Sequence, residues 1–204
     1  MTRLFFLLIA FSALMNTKAS AEVSDEQILK AVLDFHLNIT RKVEGWDCSY
    51  QGEDLEGTPV ARLKGNDDNQ VFIVPVLCFA HQSNATTVFY KVTDGDRQSV
   101  SPLSFPVSPD GKEFMASVPL ANGDFSAEND EVIEAHISGY GYMRDLCGSD
   151  LRYVWNGYAF ALSEVRYRPC CGEKGAGKWC DRDSDADFAD DIPVVFSHKV
   201  ERQE

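Results

Sequence analysis

The cysteines constrain this chain more than any other feature of its sequence. Their number is even, and they stand at Cys48, Cys78, Cys147, Cys170, Cys171 and Cys180. In an exported protein an even set indicates disulfides, whereas in a cytosolic protein it more often indicates a metal or redox site. The sequence contains no C-x-x-C or H-x-x-x-H spacing, which zinc sites and thiol oxidoreductases typically carry. The cysteines therefore predict disulfides, provided that the chain is exported.

The first 21 residues have the pattern of a secretory signal peptide. Arg3 supplies a positive charge, residues 4–15 are apolar except for Ser12, and residues 19–21 form an A-x-A type site. The apolar stretch is shorter than the roughly 20 residues that cross a bilayer. We predict cleavage after Ala21, a periplasmic or secreted location, and no membrane span in the cleaved product.

The pairing of the cysteines stays open at this level. Six cysteines allow about 15 complete pairings, and the sequence does not choose among them. Cys170 and Cys171 are adjacent, and neighbouring side chains on extended backbone point to opposite faces, so we expect them to have different partners. The preferred set is Cys48 with Cys78, Cys147 with Cys170, and Cys171 with Cys180.

Residues 24–42 are predicted to form one N-terminal helix. Ser24 and Gln27 have the spacing of a capping box, and acidic residues follow the cap, where they suit the helix dipole. Apolar residues recur at helical spacing, and His36 lies on the same stripe. A lone histidine in such a position is predicted to be a boundary residue rather than a ligand.

The rest of the chain, about 46–200, consists of short β-forming runs separated by turns. Pro75 indicates an edge or a bulge within its run, and Asn156-Gly157 favours a tight hairpin. The runs are 71–79, 86–92, 114–120, 131–140, 153–165 and 194–200. We predict a single globular domain over residues 22–204: mainly β, an antiparallel sheet or sandwich-like fold with one N-terminal α-helix, stapled by disulfides.

The charge of the chain limits its partners. The formal net charge is −13, which excludes nucleic acid as a partner because a nucleic-acid binder needs a basic face. An acidic surface attracts cationic partners over long range. The expected function is a non-catalytic binding or interaction module of the cell envelope, with a cationic envelope protein or peptide as its partner.

The sharpest local motif is an acidic loop at residues 181–191. Asp181, Asp183, Asp185 and Asp187 stand at every second position and can converge on a calcium ion if the loop curls. An EF-hand loop needs Gly at its sixth position and Glu at its twelfth, which are Ala186 and Ile192 here. We expect a solvated acidic loop and no cofactor, with a calcium-dependent binding module as the alternative.

Catalysis has little support in the sequence. His36, His81, His136 and His198 are scattered without a motif, and no G-x-S-x-G elbow occurs. Carboxylates cluster at Asp124, Glu128, Asp130, Glu131 and Glu134, but an acidic chain contains such clusters by chance. We expect no enzymatic activity and keep a small periplasmic hydrolase as the alternative, which requires an acidic pair or a His–acid pair facing a cleft.

A stretch of the chain has motifs of a known bacterial family. A Gly-rich turn at 139–141 precedes Cys147-Gly148, an aromatic hairpin follows at 153–157, and a strand leads to residues 170–172, Cys-Cys-Gly. In this order, residues 71–172 resemble the exported family called domain of unknown function 1176. The resemblance implies an exported, disulfide-containing fold and implies no activity.

Overall fold

The computed structural model describes residues 23–42, 48, 55–66, 69–81, 84–93, 99–127, 129–138, 147–170 and 192–202. Within these ranges the chain forms one α-helix, one 3-10 turn and twelve strands. The helix α1 is Asp25–Asn38 and the 3-10 turn is Thr40–Lys42. The strands are β1 Ala61–Lys64, β2 Gln70–His81, β3 Asn84–Thr93, β4 Ser99–Pro102, β5 Phe105–Val107, β6 Met115–Ser117, β7 Pro119–Ala121, β8 Asp124–Ser126, β9 Asn129–Ser138, β10 Gly148–Trp155, β11 Phe160–Arg168 and β12 Val194–Ser197.

The helix begins where its capping box predicts. The Ser24 hydroxyl accepts a hydrogen bond from the Gln27 amide, and the Gln27 side chain accepts one from the Ser24 amide. The helix ends at Asn38, four residues before the predicted end, and the chain tightens into the 3-10 turn. The β-branched residues Ile39 and Thr40 lie at this boundary, where their restricted side chains disfavour a further α-helical turn.

The strands form two five-stranded sheets and a two-stranded ribbon. The first sheet has the order β1-β2-β3-β4, with β7 also paired to β3. The second sheet has the order β12-β11-β10-β9-β8, and β5 pairs with β6. Every pairing in the described part of the chain is antiparallel. The predicted fold class, mainly antiparallel β with one N-terminal helix, is confirmed.

Both faces of the first sheet are buried. On one face, Phe72 and Val74 pack with Ile28 and Val32 of α1. On the other face, side chains of the first sheet pack against the inner face of the second sheet. Aromatic rings fill the centre of this core between the two sheets, among them Phe89, Phe105, Tyr153, Trp155 and Phe160. The continuous apolar run in β2 therefore reflects burial on two sides rather than on one.

Two local turn predictions are refined by the structure. Pro75 lies beyond the end of β1, whose last partner in β2 is Ile73, so the proline occupies a stretch where β2 is an edge. The hairpin predicted at Asn156-Gly157 joins β10 and β11, and its loop has four residues. The loop is held by the Asn156 side-chain oxygen, which accepts hydrogen bonds from the backbone amides of Tyr158 and Ala159.

Two of the preferred disulfides are present. Cys48 is bonded to Cys78, and Cys147 is bonded to Cys170. The first joins the chain after α1 to β2, and the second ties the start of β10 to the end of β11. Cys171 and Cys180, and the predicted leader at 1–21, lie outside the described residues. None of the helices among the described residues has the length and apolar character to cross a membrane.

Candidate functional site

The outer face of the second sheet carries a band of charged side chains. Strand alternation turns Ile133 and Ala135 of β9 inward, so Glu134 and His136 point outward. Their partners in β10 are Arg152 and Asp150. Those residues in turn are opposite Glu164 and Arg166 of β11. Two rows of titratable side chains therefore cross three neighbouring strands.

The charged groups in these rows pair with one another. His136 Nδ1 lies 2.6 Å from Asp150 Oδ1. Arg152 donates to Glu134, and Arg166 Nε donates to Glu164 at 2.6 Å. All six side chains are partly exposed, so these pairs contribute little to the free energy of unfolding but hold the charges in fixed positions.

A groove of about 540 Å³ runs over this band. Besides the paired groups, its lining includes Asp124 and Phe125 of β8 and the preceding Asn122. The Asp124 carboxylate accepts a hydrogen bond from the backbone amide of Phe125. No ion pair to Asp124 occurs within the part of the chain that the structure describes.

A second groove of about 600 Å³ adjoins the first. Both are lined by Asn122 and Asp124. The second groove also includes Pro75, Leu77 and the turn at residues 56–59. Leu77 is 47 % exposed there, which is unusual for a leucine in a sheet that is otherwise buried on both faces. We call the two adjoining grooves the trough.

Both grooves of the trough have acidic side chains, and the groove that includes Pro75 and Leu77 is also partly apolar. Two guanidinium groups, Arg152 and Arg166, face a larger number of carboxylates. These carboxylates are Glu56, Asp124, Glu134, Asp150 and Glu164. The carboxylates outnumber the guanidinium groups, so the lining has an excess of negative charge, and an open concave site with fixed charges of one sign attracts ligands of the other sign.

Asn122 fixes the place where the two grooves meet. It has a positive φ of 45° and connects β7 of the first sheet to β8 of the second. Its backbone amide donates to the Ala85 carbonyl, and its side-chain oxygen accepts the Ala85 amide. Its side-chain nitrogen donates to the carbonyl of His136 in β9. One residue thus bonds to both sheets at the centre of the trough.

A buried polar cluster lies on the opposite side of the first sheet. His36 is fully buried in α1, so its prediction as a boundary residue was wrong. Its Nδ1 atom is 2.7 Å from the Tyr90 hydroxyl, which donates to Thr40 Oγ1 at 2.8 Å. Its Nε2 atom is 3.5 Å from Cys48 Sγ. Burial raises the pKa of Tyr90 to about 12, which keeps its hydroxyl protonated and able to donate.

The structure describes only some of the site residues that the sequence predicted, and it does not bring all of these together. The calcium candidates Asp181, Asp183, Asp185 and Asp187 lie outside the described residues, as does Glu128 of the carboxylate cluster. Asp124 and Glu134 are cross-strand partners and line the trough. Glu131 is paired instead with Arg202 at 2.9 Å. The cluster that is continuous in sequence is therefore divided by strand alternation.

The His136–Asp150 pair meets the geometric condition set for a hydrolase, because it faces a groove. A hydrolase that works through a covalent intermediate also needs a side-chain nucleophile beside the base. Among the described residues, the side chain of His136 has a carboxylate partner and no hydrogen bond to a serine, threonine or cysteine.

Sequence reasoning missed several residues of this site, among them Asn122, Asp150, Arg152, Glu164 and Arg166. A partial signal was present, because the run at 131–140 alternates with Glu134 and His136 on one parity. The partners of these two residues depend on the register between strands, which the sequence does not specify.

Comparison with known proteins found no matching family model, no matching curated protein and no matching solved structure. The family resemblance of residues 71–172 therefore stays a prediction.

Proposed function

We propose that this protein is a non-catalytic interaction module of the cell envelope that binds a basic polypeptide segment in the trough. The observation that carries the proposal is the meeting of an acidic groove and a partly apolar groove at Asn122 and Asp124. A segment with lysine or arginine side chains beside an apolar side chain complements both grooves.

Charge complementarity favours this ligand over an acidic one. Glu134 and Glu164 already have arginine partners and Asp150 is bonded to His136, whereas Asp124, at the centre of the trough, has no ion pair among the described residues. A cationic group placed there gains attraction without displacing an ion pair. The net charge of −13 for the whole chain adds long-range attraction in the same direction.

Export is part of the proposal. The two disulfides are consistent with an oxidising compartment, where such bonds persist. N-terminal sequencing of the protein recovered from the cells that produce it tests this point. A chain that begins at Glu22 supports export with cleavage after Ala21, whereas a chain that retains residues 1–21 contradicts it.

Binding is tested by the fluorescence anisotropy of a labelled Lys-Leu repeat peptide, with a Glu-Leu repeat peptide as the control ligand. We expect the basic peptide to bind, the acidic peptide not to bind, and the affinity to fall as salt is raised. Asp124→Asn should weaken binding about two- to five-fold, as expected for one partly exposed charge. Arg152→Gln, which removes a positive charge from the trough, should strengthen it by a similar factor.

Glu113→Gln provides a matched control, because it removes one negative charge from an exposed residue outside both grooves. It should leave the affinity unchanged. Equal weakening by Asp124→Asn and Glu113→Gln would show that only the overall charge matters and would contradict a site in the trough. Absence of binding at low salt would contradict the proposed function itself.

A further inference from the structure

The buried cluster between α1 and the first sheet contains three side chains that can ligate a metal. His36, Cys48 and Cys78 each offer one ligand atom, and these atoms all lie within 4.8 Å of one another. Among the described residues no other group of three or more such side chains comes this close. In the structure the two sulfur atoms are joined as a disulfide.

We propose that the Cys48–Cys78 disulfide is the closed form of a redox-gated zinc site, in which reduction releases two thiolate ligands that bind Zn²⁺ together with His36. The inference is independent of the trough and of what the trough binds.

The position of the imidazole fits this role. With Zn–S bonds of about 2.3 Å and Zn–N bonds of about 2.0–2.1 Å at tetrahedral angles, the sulfur and nitrogen ligands of one zinc ion are about 3.5 Å apart. His36 Nε2 lies 3.5 Å from Cys48 Sγ before any rearrangement. After reduction, the sulfur atoms have only to move apart to a ligand–ligand separation of about 3.8 Å.

The hydrogen bonds behind His36 are those of a metal-ligating histidine. The Tyr90 hydroxyl gives its own proton to Thr40, so it accepts the hydrogen on His36 Nδ1. In that tautomer the unprotonated ring atom is Nε2, which lies 3.5 Å from Cys48 Sγ. A ligating histidine usually donates its other N–H to a fixed acceptor, which sets the tautomer and the orientation of the ring.

The charge of the site favours a divalent ion over a monovalent one. Two thiolates and one neutral imidazole balance the charge of Zn²⁺, whereas with a monovalent soft cation they leave a net negative charge. Cys48, Cys78 and His36 are all buried. A net charge in such surroundings carries a large desolvation cost, so the neutral zinc complex is favoured.

The disulfide is reduced by thiol–disulfide exchange. A dithiol reductant supplies two electrons and two protons; its own sulfur atoms become a disulfide, and Cys48 and Cys78 become thiols. Binding of Zn²⁺ then releases the two thiol protons to water. A cyclic disulfide reverses the exchange: it takes two electrons from the two thiolates and two protons from water, leaves as a dithiol, and Cys48–Cys78 re-forms with release of Zn²⁺.

The test uses the purified full chain, reduced under argon with a phosphine that is then removed. Iodoacetamide labels the cysteines with and without one equivalent of Zn²⁺, and mass spectrometry measures the rate at each residue. We expect zinc to slow the labelling of Cys48 and Cys78 by about 10-fold or more and to leave Cys147 and Cys170 unchanged. Equal rates with and without zinc, protection confined to other cysteines, or failure of Cys48–Cys78 to be reduced without unfolding would each overturn the proposal.

Two variants distinguish ligation from mere burial of the thiols. His36→Gln removes the nitrogen ligand and should abolish zinc protection of Cys48 and Cys78. Tyr90→Phe keeps the buried ring but removes the acceptor behind His36, and it should weaken zinc binding about 10- to 100-fold. If His36→Gln does not fold, Tyr90→Phe and the unmodified chain still decide the question. Unchanged zinc affinity in a folded Tyr90→Phe protein would contradict the assigned role of His36.

Discussion

Asn122 and Ala85 bond to each other in both directions. The Asn122 amide donates to the Ala85 carbonyl at 2.7 Å, and the Ala85 amide donates to the Asn122 side-chain oxygen at 2.7 Å. The Asn122 side-chain nitrogen also donates to the backbone carbonyl of His136. This single residue therefore fixes the place where the chain passes from the first sheet to the second.

Replacement of Asn122 should therefore destabilise the fold in a graded way. Asn122→Ala loses two side-chain hydrogen bonds, worth about 1 kcal/mol each, and keeps a strained positive φ, which adds about 1 kcal/mol. Asn122→Gly loses the same hydrogen bonds without the strain, so its loss should be smaller, about 2 kcal/mol. Urea denaturation measures both, and equal losses would show that backbone strain plays no part.

Two glycines with similar backbone angles provide a matched test of packing. Gly57 has a φ of 78° and open space where a Cβ would lie, whereas Gly111 has a φ of 69° and a Cβ there would come within 2.7 Å of Tyr167 Cβ. Gly57→Ala should cost about 1 kcal/mol, from backbone strain alone. Gly111→Ala adds a clash with β11 and should cost about 3 kcal/mol. Thermal denaturation that ranks them in the reverse order would contradict this packing.

The Cys147–Cys170 disulfide closes a loop with a sequence separation of 23 residues around the β10–β11 hairpin. In the chain-entropy model such a loop contributes about 3.4 kcal/mol to stability. Replacing both cysteines by serine should lower the free energy of unfolding by about that amount while the circular dichroism spectrum of the sheets is retained. A loss below about 1 kcal/mol would show that strand pairing alone closes this loop.

Stability should fall at alkaline pH because two tyrosines are buried. Burial raises the pKa of Tyr90 from 10.0 to about 12 and raises that of Tyr153 as well. The folded state holds these protons more tightly than the unfolded state, so the stabilisation is complete below pH 10 and is lost as the pH rises toward 12.

For Tyr90 this loss should be about 2 kcal/mol between pH 10 and pH 12. Denaturation at several pH values across this range gives the free energy of unfolding. This free energy should depend less on pH for Tyr90→Phe than for the unmodified protein. Tyr153→Phe serves as a parallel case, because the Tyr153 hydroxyl donates to Pro106 and not to the His36 cluster. A pH dependence unchanged in both variants would contradict their burial as neutral phenols.

The sequence by itself determined the local structure. The capping box set the start of α1. The apolar runs located strands such as β2 and β3, because β-branched and aromatic residues favour extended backbone whichever strand they pair with. The sequence left the cysteine pairing open, and the folded structure confirms Cys48–Cys78 and Cys147–Cys170 of the preferred set.

Only the tertiary structure decided the sites. Arg152 faces Glu134, and Asp150 faces His136, because of strand register, and a shift of one residue would turn each side chain to the other face. His36 meets Cys48 and Cys78 because α1 packs across the first sheet, which joins residues that have no motif spacing in the chain. Local preferences are set by near neighbours in sequence, whereas the trough and the buried cluster depend on contacts between distant segments, which form only when the layers pack.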